Sequence, residues 1–243
     1  VLADRAHDLA LAIDTAHRER RLLDPISDRA PLDLDTAYAV QRHLTALRTG
    51  RGARRIGWKL GYTSAAMRAQ MGVEAPNFGP LLDGMLVPDG RPAPAHLVQP
   101  RVEPEIAVRV DPGGGPGEVL AACEIVDSVW RDYRFTLEDN TADGSSAAGV
   151  VLGPPLPADG LDALTVELRC NGDPAGQATG AAAMGHPFIA LEWLARELRR
   201  RGEQLRAGDL VITGGLTAAV PLQPGDVVEA VFGGDVAVRV RRP

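Results

Sequence analysis

The stretch Gln99 to Val110, QPRVEPEIAVRV, constrains this chain more than any other. Read as a strand, it puts Val102, Pro104, Ile106, Val108 and Val110 on one face and Glu103, Glu105, Ala107 and Arg109 on the other. The two acids then point the same way, roughly 7 Å apart along the strand. Such a strand either leaves its charged face in water or gives the acids a cation. Oxygen ligands so arranged suit a hard divalent ion, Mg2+ or Mn2+, with positions left open for water or substrate.

A second apolar strand, VLAACEIVDSV over Val119 to Val129, carries Glu124 in its middle. A lone carboxylate there needs a proton, a cation or a metal. With Glu103 and Glu105 it completes a set of three for one octahedral ion. Lys59 alternates with apolar neighbours in IGWKLG, where an ammonium is costly unless an anion is near; the other reading is an edge-strand lysine that snorkels to water.

Around these strands the punctuation is clear. Residues 2–23 carry Leu2, Ala6, Leu9, Ile13 and Ala16 at helical spacing, ended by Pro25. Asp33 or Asp35 caps a second helix with Ala37, Val40, Leu44 and Leu47 as its stripe and Gly50 beyond. His7, His17 and His43 on these helices read as surface or packing histidines. A short helix capped by Thr63 or Ser64 is expected to stop at Gly72, and the stretch from Val73 to Gly90 reads as a lid-like loop with Asp83 beside Gly84. YRFTLEDNTADGSS reads as a polar loop. Asn171-Gly172 and Gly233-Gly234 mark hairpins, and His186-Pro187 opens a helix stopped at Gly202. DLVITGGLT reads as a strand meeting a Gly-Gly turn, where backbone amides with Thr213 or Thr217 could meet an anion.

At 243 residues, with 27 Gly and 19 Pro, the chain is a turn-rich, strand-rich globular protein. A net charge of −6 with interspersed signs gives no footprint for nucleic acid or an anionic membrane surface. Cys123 and Cys170 read as buried thiols of a cytoplasmic protein, and no apolar run reaches the length of a membrane span.

GWKLGYTS, MGVEAPNFGPLLDGM, PRVEPEIAV, CEIVDS, the Ala142-Asp143 turn before SSAAGVVLG, GHP, and GDLVITGGLTAAVPLQPGD follow one another in an order and spacing that resemble the 2-keto-4-pentenoate hydratase and 4-oxalocrotonate decarboxylase family, within the fumarylacetoacetate hydrolase superfamily. The resemblance covers essentially the whole chain. It implies an α+β fold, with a helical segment over residues 1–50 and a mixed β-roll or sandwich catalytic core over 51–243. It implies Mg2+ or Mn2+ on Glu103, Glu105 and Glu124, catalytic roles for Lys59, Asp83 and Asp143, and substrate contacts at Leu60, Ser146 and Thr217. Where the family loop has V-A-D-N-A-S this chain has Gly144 in place of Asn. A 2-oxo acid substrate, a homo-oligomer and a complex with a partner hydratase or decarboxylase are implied too.

Within the family, the chain leans to decarboxylation of 2-oxohex-3-enedioate. MGVEAPNFG, the RGEQLRAGDLVITGGLTAAV stretch and Trp58 look closer to the decarboxylases; Gly84 replaces an acid that many hydratases carry; Arg131 and Arg134 offer a second cation for a dianion. Hydration of 2-hydroxypenta-2,4-dienoate is the alternative. An acylpyruvate hydrolase or a tautomerase, and a non-catalytic partner of a hydratase, are further ones, and His186 is the one histidine placed suggestively for hydrolysis, where helix capping explains it equally.

Overall fold

The computed structural model describes residues 2–65, 68–69, 72–88 and 90–243. Two helices open the chain, α1 (Leu2–Glu19) and α2 (Leu34–Thr49). The first stops earlier than Pro25: Arg20 takes a left-handed φ of 55°, and Leu23 then pairs with Trp130. Asp33 is the cap of α2, accepting the Thr36 amide at 2.7 Å, and Gly50 ends that helix. Ala6, Ala10, Ile13 and Ala16 of α1 meet Ala37, Val40 and Leu44 of α2, and this cluster continues into Val129, Trp130 and Ala142. The helical segment therefore shares its core with the middle of the chain.

The larger sheet runs in the order β2 (Asn77–Leu82), β1 (Arg55–Gly61), β8 (Leu210–Ile212), β3 (Arg101–Val110), β4 (Pro116–Val126) and β5 (Ala147–Pro155), with β9 (Val220–Pro221) paired to β3. Its pairings are antiparallel except between β1 and β8. A smaller antiparallel sheet runs β11 (Val236–Arg241), β10 (Val227–Phe232), β6 (Thr165–Cys170) and β7 (Asp173–Thr179). Asn171 and Gly172, with φ of 54° and 91°, turn β6 into β7 as their sequence requires.

Alternation decides what each face meets. Val102, Ile106, Val108 and Val110 of β3, with Val119, Ala121, Cys123 and Ile125 of β4, pack onto Leu168, Val228, Ala230, Phe232, Val238 and Val240 of the smaller sheet. Leu191, Leu194 and Leu198 of a helix over Pro187–Arg200 join the same core. The opposite face carries the charged residues, and below them a small apolar layer of Ala107, Leu120, Ala122, Leu210 and Ile212. Cys123 is fully buried, whereas Cys170 is partly exposed, because it sits at the hairpin end of β6.

Two expected loops are ordered elements instead. The lid-like stretch contains β2, buried throughout. Pro80 is accommodated there because β2 is the last strand of its sheet and one side needs no donor. The polar loop contains a short helix, α3 (Leu137–Ala142), fixed by a capping box in which Thr136 and Asp139 satisfy each other's backbone amides. We number the helix over Pro187–Arg200 α4; His186 Nδ1 caps it, accepting the Phe188 amide at 3.1 Å. The helix expected between Thr63 and Gly72 lies partly outside the described residues; within it the Arg68 amide donates to the Ser64 carbonyl at 3.0 Å. Among the described residues no helix is long and apolar enough to cross a membrane.

Gln41 ties these layers together. Its buried amide donates at 2.8 Å both to the Phe78 carbonyl of β2 and to the Thr141 carbonyl of α3. Gln41→Leu keeps most of the volume but leaves two buried carbonyls unpaired, so it should destabilise by about 2–4 kcal/mol in urea unfolding. A loss under about 0.5 kcal/mol would show that water takes over both bonds.

Candidate active site and metal centre

The antiparallel register sets Glu103 directly opposite Glu124. Glu105 is two residues along the same face of β3, so three carboxylates converge, one oxygen of each lying within 4.8 Å of the others. Glu105 and Glu124 are fully buried, and Glu103 is half-buried against the neighbouring cavity. Lys59, on the matching face of β1, brings Nζ to 3.0 Å from Glu124 Oε2 and donates to the Ser145 carbonyl at 2.8 Å.

The Gly-Gly turn after β8 meets an anion, and that anion is the protein's own. The Gly214 amide donates to Glu105 Oε2 at 2.6 Å. A Cβ on Gly215 would come within 2.2 Å of Glu103 Oε2, so a larger residue there would displace that carboxylate. Thr213 binds the Ile106 carbonyl, and Thr217 donates to the Ala218 carbonyl outside the cavity lining.

The carboxylates remain under-compensated by protein groups. Glu105 Oε1 and Glu124 Oε1 are sealed from solvent and accept no hydrogen bond among the described residues, and Glu124 Oε2 meets only the Lys59 ammonium. Burial, then the charge of Glu124, pushes the Glu103 carboxyl up to about 8 against the opposing pull of Lys59. Glu105 is raised for the same reasons, burial foremost. For Lys59 burial acts to lower the value, but Glu124, Glu103 and Glu105 outweigh it and the ammonium is held above its usual range. Orphaned buried oxygens on two of the three converging acids fit a hard divalent cation, which would supply the charge the cluster lacks.

A cavity of about 230 Å³ opens beside the cluster. Lys59, Glu103, Ser145 and Ser146 line one part, and Tyr62, Thr63, Arg101, Tyr133 and Phe135 another. The Thr63 hydroxyl, buried on this wall, has no hydrogen-bond partner among the described residues. Arg101 lies 3.9 Å over the Tyr133 ring, and the Tyr133 hydroxyl is 3.0 Å from the Gln99 and Val126 carbonyls, donating to one at a time.

Of the residues singled out in the sequence, Lys59, Ser146 and the three glutamates come together here. Leu60 is buried in the core, with only its backbone neighbours at the site. Asp83 is not at the cavity: it accepts the Arg54 amide and Nε, each at 3.1 Å, and those bonds, the backbone one foremost, hold its carboxyl below the usual range. It is the turn-forming acid of a Leu-Asp-Gly bend. Asp143 is buried behind the site, Oδ1 at 2.5 Å from His17 Nε2 and Oδ2 accepting the Val129 amide at 3.0 Å. Arg131 and Arg134 pair with Asp24 and Asp28 on the surface, 3.3 and 2.7 Å away; the arginine that lines the cavity is Arg101.

The sequence reading passed over Asn77 and Asn140. The Asn77 amide donates to Asn140 Oδ1 and Thr141 Oγ1 at 2.9 Å and its oxygen accepts from Ser145, while Asn140 donates to Ser146. This network holds a turn in which Gly144, Ser145 and Ser146 all have φ between 56° and 75°. The one available signal was the T-x-x-D capping box that starts α3. Gly144 takes the left-handed conformation readily and lies outside the cavity lining.

Residues 118–241 match the family model described as the C-terminal domain of fumarylacetoacetate (FAA) hydrolase. The chain is 36% identical to a 2-keto-4-pentenoate hydratase of Paraburkholderia phymatum, with 97% of each chain covered. It is 35% identical to a 4-oxalocrotonate decarboxylase of Pseudomonas sp. CF600, covering 98% of this chain and 97% of that one. The solved 4-oxalocrotonate decarboxylase of Pseudomonas putida G7, complexed with magnesium and adipate, superposes with a TM-score of 0.91 at 32% identity over 99% of this chain and 98% of that one. The chain belongs to the fumarylacetoacetate hydrolase superfamily of metal-dependent enzymes. Within it the chain falls with the lyases, the hydratases and decarboxylases of 2-oxo acids.

The raised carboxyls give the metal-free protein a pH signature. A folded-state value above the unfolded one means that the folded protein binds more protons between about 4.5 and about 8, so stability falls as pH rises through that window. Thermal unfolding of chelator-treated protein should show that fall, and millimolar Mg2+ should restore most at the alkaline end. A metal-free melting temperature that climbs across the window would contradict this electrostatic picture.

Proposed function

We propose that Glu103, Glu105 and Glu124 hold a divalent cation, Mg2+ or Mn2+, and that the enzyme decarboxylates 2-oxohex-3-enedioate or a close analogue. The observation that carries this reading is the convergence of three carboxylates, two of them with unpartnered buried oxygens, and one buried ammonium beside a cavity with a second cation on its wall. When bound, the ion supplies Lewis-acid charge that a 2-oxo acid's carboxylate and keto oxygen can use.

The chain's own residues account for the rest. Lys59, held by Glu124 and the Ser145 carbonyl, keeps a positive charge where the keto oxygen gains electrons. Breaking the bond to the distal carboxyl releases CO2, and the electron pair passes through the conjugated carbons onto that oxygen as a dienolate. Lys59 Nζ is then the proton source for the dienolate oxygen or carbon. Arg101, over the Tyr133 ring, gives the distal carboxylate of a dianion a counter-charge, whereas Arg131 and Arg134 are paired with Asp24 and Asp28 and do not line the cavity. Tyr133, Phe135 and Val126 supply apolar wall around the carbon chain. The P. putida G7 decarboxylase carries adipate, a six-carbon dicarboxylate, which supports a diacid here.

Hydration of 2-hydroxypenta-2,4-dienoate is the second reading, favoured by the near-equal identity to hydratases and decarboxylases. It shares the dienolate and differs in what reaches the distal carbon. Asp83 and Asp143 enter neither reading as groups in contact with substrate; Asp143 acts through the turn it anchors. Ser146 contacts substrate from the cavity wall. A cytoplasmic homo-oligomer, able to associate with a partner hydratase, belongs to this proposal, and sedimentation with and without such a partner tests it.

The deciding assay follows ultraviolet absorbance of the diacid and of the dienoate separately, with Mg2+ and with EDTA. Metal-dependent loss of the diacid with CO2 release is expected, and consumption of the dienoate alone would transfer the assignment to the hydratase. Lys59→Met should lower kcat about a hundredfold or more, and Glu105→Gln should abolish metal-dependent turnover. Undiminished activity in either variant would remove that residue from the proposed site.

A further inference from the structure

A second, larger cavity lies behind the active-site turn, between the N-terminal helices and the start of β5, with a volume of about 350 Å³. Its charged lining is Asp14, His17, Arg18, Arg48, Arg51 and Asp127, with the exposed His96 at its edge. Three guanidiniums thus face two carboxylates, and the carboxylates are already committed. Asp127 accepts the Val98 and Gln99 amides at 2.9 and 2.8 Å. Asp14 Oδ1 accepts Arg51 at 2.6 Å.

Arg48 is left without a hydrogen-bond partner. Its side chain is 20% exposed, its ion contact with Asp14 is 3.9 Å, and its guanidinium makes no hydrogen bond among the described residues. Arg18 likewise reaches Asp14 only at 3.9 Å. The Arg48 side chain is four-fifths buried, so its charge is partly withdrawn from water, and the open space in front of it is large enough for a small ligand. Burial presses the Arg48 guanidinium below its usual range, and Asp143 and Asp14 offset that only in part.

We infer that this cavity is a second binding site, separate from the metal centre, for a small oxyanion: a phosphate group or a compact dicarboxylate gripped by Arg48, with Arg51 and Arg18 at its rim. The fork of a guanidinium matches either ligand through paired N–H···O bonds. One wall of the site, His17, is hydrogen-bonded to Asp143, which opens the turn whose Ser145 carbonyl holds Lys59.

Thermal unfolding of full-length, metal-stripped protein, titrated with inorganic phosphate in one series and malonate in another at ionic strength matched with NaCl, tests this without any substrate. A saturable rise in melting temperature is expected with at least one of them, and which one responds identifies the ligand class. Arg48→Met should weaken the apparent affinity at least tenfold, and the exposed Arg18→Gln should weaken it about threefold while leaving the unliganded melting temperature within a degree or two. Glu103→Ala should leave it within twofold, which separates this site from the active site. No saturable response to either anion, an equal response in Arg48→Met and wild type, or loss of the response in Glu103→Ala would each overturn the inference. Because the readout is ligand-linked stability, it stands whichever 2-oxo acid the metal centre takes.

Discussion

Repulsion among three close carboxylates, two of them fully buried, is the constraint around which this protein is built. Glu103, Glu105 and Glu124 share one face of two adjacent strands, and no apolar packing can offset that much like charge in a low-dielectric site. Every compensating group in the chain comes from a different element. Lys59 arrives on β1, and the Gly214 amide arrives from the turn after β8. The remaining deficit is the room for a cation. Placing β8 between β1 and β3 in the sheet brings these groups together, so the strand order itself serves the electrostatics.

The second organising feature is the turn from Asp143 to Ser146. Two non-glycine residues in the left-handed region cost on the order of 1–2 kcal/mol each and persist only when their surroundings over-determine them. Asn77 from β2, Asn140 from α3, Asp143 with His17 from α1, and Gln41 from α2 do so. The return is a backbone carbonyl, that of Ser145, aimed at the Lys59 ammonium. The N-terminal helices are consequently part of the framework that positions Lys59, even though none of their residues lines the cavity beside the three glutamates.

On the proposed reading, decarboxylation and hydration both need charge accumulated on a keto oxygen, and a metal held by the three glutamates, with Lys59, would provide for that step. They differ at the far end of the substrate, where the cavity wall carries Arg101, Tyr133, Phe135 and Thr63. Arg101 is pinned by its ring contact, so its charge sits at a defined place on the wall. Chemistry at this end is set by a few side chains over a shared centre.

The sequence by itself determined the facing of each strand. Period-two alternation put Glu103 and Glu105 on one face and the valines on the other, and an acid or a lysine inside an apolar run announced that a partner had to exist. Hairpin glycines, the Asp33 cap and the His186-Pro187 helix start were legible because local backbone chemistry specifies them. Tertiary structure alone decided which partners met. Asp83 and Arg134 look as available in the sequence as Lys59 and Arg101, yet Arg54 and Asp28 neutralise them at the surface. Asn77 and Asn140 looked like ordinary loop polars until the fold buried them against the turn. Register between distant strands, and which charge a fold neutralises elsewhere, depend on long-range packing that no local pattern encodes.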